Sequence, residues 1–195
     1  MATKMLAVSG SMREGSHSAK GLKILLDHAK EMGAETRFLD LRVLDLPMYN
    51  SPSSSGSKSL REANEATEWA DVIVLGTPDY HGSMSGALKN YLDYHWEEFA
   101  GKLFGYICAS HEKGLTVMDQ MRTAVRQCYG WSLPYGISFD GKEVFNVEGT
   151  IIQPKIEQRL RMMARDLTVY GSLLRDQFTK DLLGDFQDTF AARYR

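Results

Sequence analysis

The chain has 195 residues, 23 basic against 25 acidic, for a formal charge of −2. That length suits one domain with a sizeable core, and the balanced charge lacks the basic footprint of a nucleic-acid binder. The two cysteines, Cys108 and Cys128, sit in apolar patterns without metal-ligand spacing, so free thiols in a reducing cytoplasm are expected, with no metal. No apolar run reaches membrane-spanning length, and the first residues lead into a strand without a leader pattern.

Met5 to Val8 is a short continuous apolar run, the pattern of a strand buried on both faces. Gly10-Ser11-Met12-Arg13-Glu14-Gly15-Ser16-His17-Ser18 follows. A helical pattern then starts near Ala19, with Leu22, Leu25, Leu26 and Ala29 in phase and Gly33 as its stop. A loop between a strand end and a helix start offers unpaired N–H groups and the positive end of the helix dipole. Ser11, Ser16 and Ser18 add hydroxyls and Arg13 a guanidinium, a donor set suited to a terminal phosphate monoester. The Walker lysine and the GxGxxG spacing are both missing. A plain polar turn with a capping serine is the alternative.

Thr36–Asp40 reads as a second strand, and Leu44 to Gly56, with Pro47, Pro52 and a serine cluster, as a long surface loop. A helix over Leu60–Ala70 precedes the clearest strand, Asp71–Gly76. The loop Thr77-Pro78-Asp79-Tyr80-His81-Gly82 comes next, then a helix from about Ser85 to Tyr94. Pro78 and Tyr80 suit a flat ligand, and N–H groups near Gly82 and Ser83 are expected to address ring heteroatoms; a turn and helix cap is the alternative. Leu103–Ala109 is a further buried strand, with Met118 and Met121 in the core of the next helix. Trp131–Phe139 reads as a fifth strand, placed at a sheet edge by Pro134. A long helix is marked by Ile152 to Leu174. After it Phe178, Leu182, Phe186, Phe190 and Tyr194 recur every four residues, the apolar stripe of a helical extension over 175–195.

Alternating strands and helices predict a flavodoxin-like, doubly wound, five-stranded parallel sheet of order 2-1-3-4-5, one domain over 1–195. In that order the loops after strands one and three share a crevice at the carboxyl ends of the strands.

Two motifs then carry a resemblance to the NADPH-dependent FMN reductase family, which includes quinone, azo-dye and chromate reductases. Its Gly-Ser-x-Arg-x-x-Ser run is matched by Gly10, Ser11, Arg13 and Ser16. Its run after strand three is matched by Pro78, Tyr80, His81, Ser83, Gly86, Leu88, Lys89 and Asn90. The likeness covers roughly the first 140 residues, a span consistent with one α/β domain. It implies FMN as cofactor and NADPH or NADH as donor, with a quinone, azo compound or flavin as acceptor. It also implies Ser11, Arg13, Ser16 and Ser18 at the phosphate, Pro78, Asp79, Tyr80, His81, Gly82 and Ser83 along the isoalloxazine ring, and Ser110 from the loop after strand four. Homodimers or homotetramers are implied as well. The chain departs from the family where Ser18 replaces a frequent Asn, Asp79 a Glu and Ser85 a Pro, and where Ser110-His111-Glu112-Lys113-Gly114 replaces a Gly-rich loop. The flavin would carry the chemistry, with His81 a candidate proton donor. A flavodoxin-like electron carrier and a non-catalytic flavin-binding module are the competing readings.

Overall fold

The computed structural model describes residues 1–50 and 56–193. In chain order the elements are β1 (Lys4–Ser9), α1 (His17–Glu31), β2 (Glu35–Asp40), α2 (Leu41–Leu44), α3 (Lys58–Trp69), β3 (Val72–Pro78), α4 (Gly86–Asp93), β4 (Leu103–Ala109), α5 (Leu115–Gln127), β5 (Trp131–Ser132), β6 (Ile137–Phe139), α6 (Gly141–Val144), α7 (Pro154–Leu183) and α8 (Phe190–Arg193). The sheet is parallel in the order β2-β1-β3-β4-β5, with β6 also pairing β4.

Side chains alternate across a strand, so a sheet covered on both sides needs apolar residues at every position. Leu6, Val8, Ile73, Leu75, Phe104 and Tyr106 point into one core, with α3, α4 and α5. Met5, Ala7, Val72, Val74, Leu103 and Ile107 point into the other, with α1 and α7. Met118 and Met121 are buried in the first core, as expected.

Three expectations are corrected. The fifth strand is not continuous: β5 and β6 pair with opposite ends of β4, and residues 133–136 leave the ladder between them. Pro134 has no N–H to donate and restricts the residue before it, which explains the break. Second, α1 begins two residues earlier than the apolar pattern suggested, because Ser16 caps it by accepting from Ala19 N. Third, the C-terminal stripe does not lie on one helix. Phe178 and Leu182 belong to α7, which ends at Leu183, whereas Phe186 lies beyond it and Phe190 opens α8. Phe178 and Phe190 meet edge to face at 6.4 Å, Phe190 also meets Tyr129, and Ala191 is buried, so part of the stripe is covered by its own chain. Tyr194 and Ser51–Ser55, including Pro52, lie outside the described residues.

Candidate functional site

The carboxyl ends of β1 and β3 are adjacent in the sheet, and the loops that leave them are bonded together. Gly10 N–H donates to Gly76 O (2.8 Å), and Ser85 Oγ donates to Gly10 O (2.5 Å) while capping α4 through Leu88 N. A Cβ on Gly10 would lie 2.6 Å from Leu88 Cβ, so glycine is required where β1 runs into the α4 terminus. Ser85, which departs from the family's proline, is therefore the hydroxyl that joins the two loops.

A crevice of about 390 Å³ opens beside this junction. Ser11, Arg13, Ser16 and Ser18 line one end, and Pro78, Asp79, Tyr80 and Ser110 the other. His81 and Gly82 line an adjoining cavity that shares Asp79, Ser110 and His111 with the first. The structure thus gathers ten of the expected residues. Ser83 stands apart: it lines a separate cavity with Met84, Lys89 and Gln120, and its hydroxyl donates to Gln120 Oε1 (2.8 Å).

At the serine end the hydroxyls are buried but retain donor capacity. Ser11 Oγ accepts from Arg13 N (3.2 Å), Ser16 Oγ accepts from Ala19 N (3.2 Å), and Ser16 and Ser18 share a bond of 3.3 Å. A hydroxyl that accepts through a lone pair still has its proton to give, so Ser11 and one member of the Ser16–Ser18 pair can donate into the crevice. The N–H groups of Gly15, Ser16, His17 and Ser18 have no acceptor among the described residues. Arg13, Lys20 and Lys142 line the same end, with no carboxylate within ion-pair distance among the described residues. Burial lowers the His17 pKa, and Lys20 and Arg13 lower it further, which registers the positive potential there. Unpaired donors, a helix N-terminus and uncompensated cations fit a phosphate monoester.

At the other end the turn Tyr80–Ser83 is closed by Tyr80 N→Ser83 O (3.0 Å) and Ser83 N→Tyr80 O (3.1 Å). His81 and Gly82 have φ of 57° and 76°, the pair of positive values that marks a type I′ turn. Gly82 N–H donates to Asp79 Oδ1 (2.8 Å). Of the N–H groups near Gly82 and Ser83 that are expected to address a ring, those of Gly82 and Ser83 themselves already have acceptors within the turn. Tyr80 is half exposed and offers a ring face at the crevice.

His111, with His95 and Trp96 a sequence candidate for a pocket rim or an interface, completes the wall with Asp140 and Gly141. His111 Nδ1 bonds Asp140 Oδ2 (2.6 Å), tying the turn after β4 to the one after β6, and Asp140 Oδ1 accepts from Lys142 N. These bonds hold the Asp140 carboxyl below its ordinary range. His17 packs over Gly141, where a Cβ would collide with the imidazole. The available signal was topological: in this strand order every loop after a strand reaches the same edge. His95 belongs to the core instead, giving Nδ1–H to Tyr91 O (2.8 Å), while Trp96 is exposed.

Comparison with known proteins agrees with this geometry. The family model for NADPH-dependent FMN reductase matches residues 3–143. An NADPH azoreductase of Bacillus sp. (strain OY1-2) is 27% identical over 172 residues, covering 86% of this chain and 94% of the relative. An FMN-dependent NADPH-azoreductase of Staphylococcus aureus (strain USA300) is 29% identical over 168 residues, covering 81% and 88%. Among solved structures, the NADH:FMN oxidoreductase EMOB superposes with a TM-score of 0.72 at 19% identity, over 86% of this chain and 89% of that one. The flavoenzyme NAD(P)H:(acceptor) oxidoreductase FerB of Paracoccus denitrificans gives 0.73 at 19% identity, over 88% and 98%. At these identities the two structures bear on the fold alone, which is flavodoxin-like. The matched span holds both crevice loops and all of β1 to β6, and the chain belongs to the NADPH-dependent FMN reductase family.

Proposed function

We propose that the crevice holds FMN and that the chain uses it to pass reducing equivalents from NAD(P)H to a small acceptor. The observation that carries this reading is the pairing of an open, cationic serine loop with a preformed turn across one crevice. Ser11 and one member of the hydrogen-bonded Ser16–Ser18 pair donate hydroxyl protons to the phosphate, Arg13 neutralises its charge, and the N–H groups at the α1 terminus complete the cradle. Pro78, Tyr80, His81, Gly82 and Ser110 frame the ring, with Asp79 acting through the turn it pins. When bound, FMN supplies a ring that takes up a hydride and yields it to an acceptor. The protein's contribution is to hold that ring with one face open and to exclude other reactions. His81, at the rim of the adjoining cavity, is placed to meet an acceptor and give it a proton.

The names of the relatives put azo compounds among the acceptors to test, beside quinones and free flavin. A single visible spectrum, followed by addition of NADPH under air, tests the reading. Oxidised-flavin absorption that bleaches and returns supports it; a colourless protein that takes up no FMN rejects it. If donor and acceptor share the open face, steady-state kinetics are ping-pong, and intersecting lines with an isolable ternary complex reject that arrangement.

We further propose that the whole chain is one flavodoxin-like domain that works in the cytoplasm as a homodimer or homotetramer. No helix among the described residues is long and apolar enough to cross a membrane. Met162, Val169, Tyr170 and Leu173 are exposed along one stripe of α7, and Leu183 and Phe186 are exposed beyond it. Deleting residues from Asp176 onward is expected to lower the mass in sedimentation while leaving a folded domain. An unchanged mass removes that segment from the interface.

A further inference from the structure

Asp79 departs from the family's glutamate, and both of its carboxylate oxygens are engaged inside the protein. Oδ1 accepts from Gly82 N–H (2.8 Å), three residues along the same turn, and Oδ2 accepts from the Ser110 hydroxyl (2.7 Å) in the turn after β4. Asp79 N–H donates to Ala109 O (2.9 Å), which joins the same two turns again. Ser110 is fixed in its own right: its N–H donates to Phe139 O at the end of β6 (3.0 Å), and its Oγ accepts from Glu112 N (3.1 Å). The result is a rim in which three strand ends, β3, β4 and β6, are bonded into one unit around one carboxylate.

This network decides which main-chain donors remain. Tyr80 and Ser83 N–H close the turn on each other, and Gly82 N–H is taken by Asp79, whereas His81 N–H has no acceptor among the described residues. His81 itself is held at φ 57°, a conformation that persists in a non-glycine residue only when its surroundings impose it. The Asp79–Gly82 bond, spanning His81, is such a constraint.

We propose that Asp79 is a positioning residue for the ring end of the site. It locks the turns after β3 and β4 into one rim and leaves His81 N–H as the donor that this turn offers to a bound flavin. This rests on the FMN reading above. A carboxylate one methylene shorter than the family's glutamate fits an acceptor for the N–H only three residues on, and a bond to a charged acceptor is stronger than one to a neutral group.

The test compares FMN with riboflavin, which has the ring but no phosphate, in the full chain. Affinities are read by flavin fluorescence, beside the melting temperature of the flavin-free protein and the flavin reduction potential. Asp79→Ala is expected to weaken both ligands by the same factor, about 10- to 100-fold, with a shifted potential and a flavin-free melting temperature close to the parent's. Ser110→Ala is expected to act in the same direction by a smaller factor. Asp79→Asn falls between, because its Oδ1 still accepts from Gly82. Parent-like affinity of Asp79→Ala for both ligands overturns the proposal. So does Asp79→Asn equal to Asp79→Ala with Ser110→Ala equal to the parent, which would make charge rather than positioning the cause. Should Asp79→Ala not fold, Ser110→Ala and Asp79→Asn decide the question by the same readouts. A parent that binds neither ligand refutes the FMN reading itself, a distinct result from a parent that binds while the variants do not differ.

Discussion

The two ends of the crevice are built on opposite plans. The serine loop leaves its donors open: the N–H groups of Gly15 to Ser18 lack acceptors among the described residues, and Arg13 is exposed and forms no ion pair among them. The turn after β3 is closed on itself, with the Tyr80, Gly82 and Ser83 N–H groups all engaged and Asp79 bound on both oxygens. One end recognises through charge and unsatisfied donors, which suits an anion. The other recognises through a fixed shape, which suits a flat ring whose polar edge needs few partners. The contrast teaches that one crevice offers two physical mechanisms, and that for the bipartite ligand proposed each can be broken alone.

Arg13→Ala strikes the open end and has the largest expected effect. A hydrogen bond to a charged group contributes about 1.5–3 kcal/mol, so FMN affinity is expected to fall about 10- to 150-fold while riboflavin affinity stays near the parent's. Equal losses for both ligands would break the division between the two ends. Ser85→Ala strikes the joint between them. It removes the α4 cap and the donor to buried Gly10 O, for an expected loss of about 2–3 kcal/mol, or roughly 4–12 °C in a thermal melt of the flavin-free chain. A melt unchanged by this substitution would mean that the loops are held together by backbone pairing alone.

The closed end should instead gain from relief of strain. His81→Asn places a residue more tolerant of positive φ before Gly82, and stability is expected to rise by about 0.5 kcal/mol, visible as a small upward shift of the melt. A drop would show that the imidazole itself supports the turn. The smallest effect is electrostatic and belongs to the open end. The His17 pKa is lowered by burial, then by Lys20 and Arg13, so the unfolded chain binds the proton more readily. Stability is therefore complete above the ordinary histidine value of about 6.5 and is lost as pH falls through the lower folded value. Denaturant melts from pH 7.5 to 5 should show this slope, and His17→Asn should flatten it; an unchanged slope would assign the effect to other groups, of which buried His95, also lowered by desolvation, is one.

Much of the architecture was legible because it depends on local pattern. Met5–Val8, Asp71–Gly76 and Leu103–Ala109 are apolar throughout, and only strands covered on both faces ask for that. The donor types of the Gly10–Ser18 loop were legible from residue types alone, since they are hydroxyls and a guanidinium at a helix start. The split at Pro134 was half legible: the proline signalled an edge, but its interruption of the ladder depended on β4 presenting partners to both halves. The C-terminal aromatics misled for a related reason. A spacing of four describes a helix wherever the chain remains helical, and Leu183 is where α7 ends.

By itself, then, the sequence determined the strand order, the placement of two distinctive loops at one sheet edge, and the donor types of the serine loop. These follow from hydrophobic periodicity, the handedness of parallel crossovers and the chemistry of individual side chains. Only the tertiary structure decided which donors are still open. Gly82 and Ser83 N–H were candidates until Asp79 Oδ1 and Tyr80 O occupied them, and Ser110 became part of the ring-end rim through an aspartate 31 residues away. A hydrogen-bond donor can be read from a sequence, but whether it is free depends on the acceptors that folding brings within 3 Å of it.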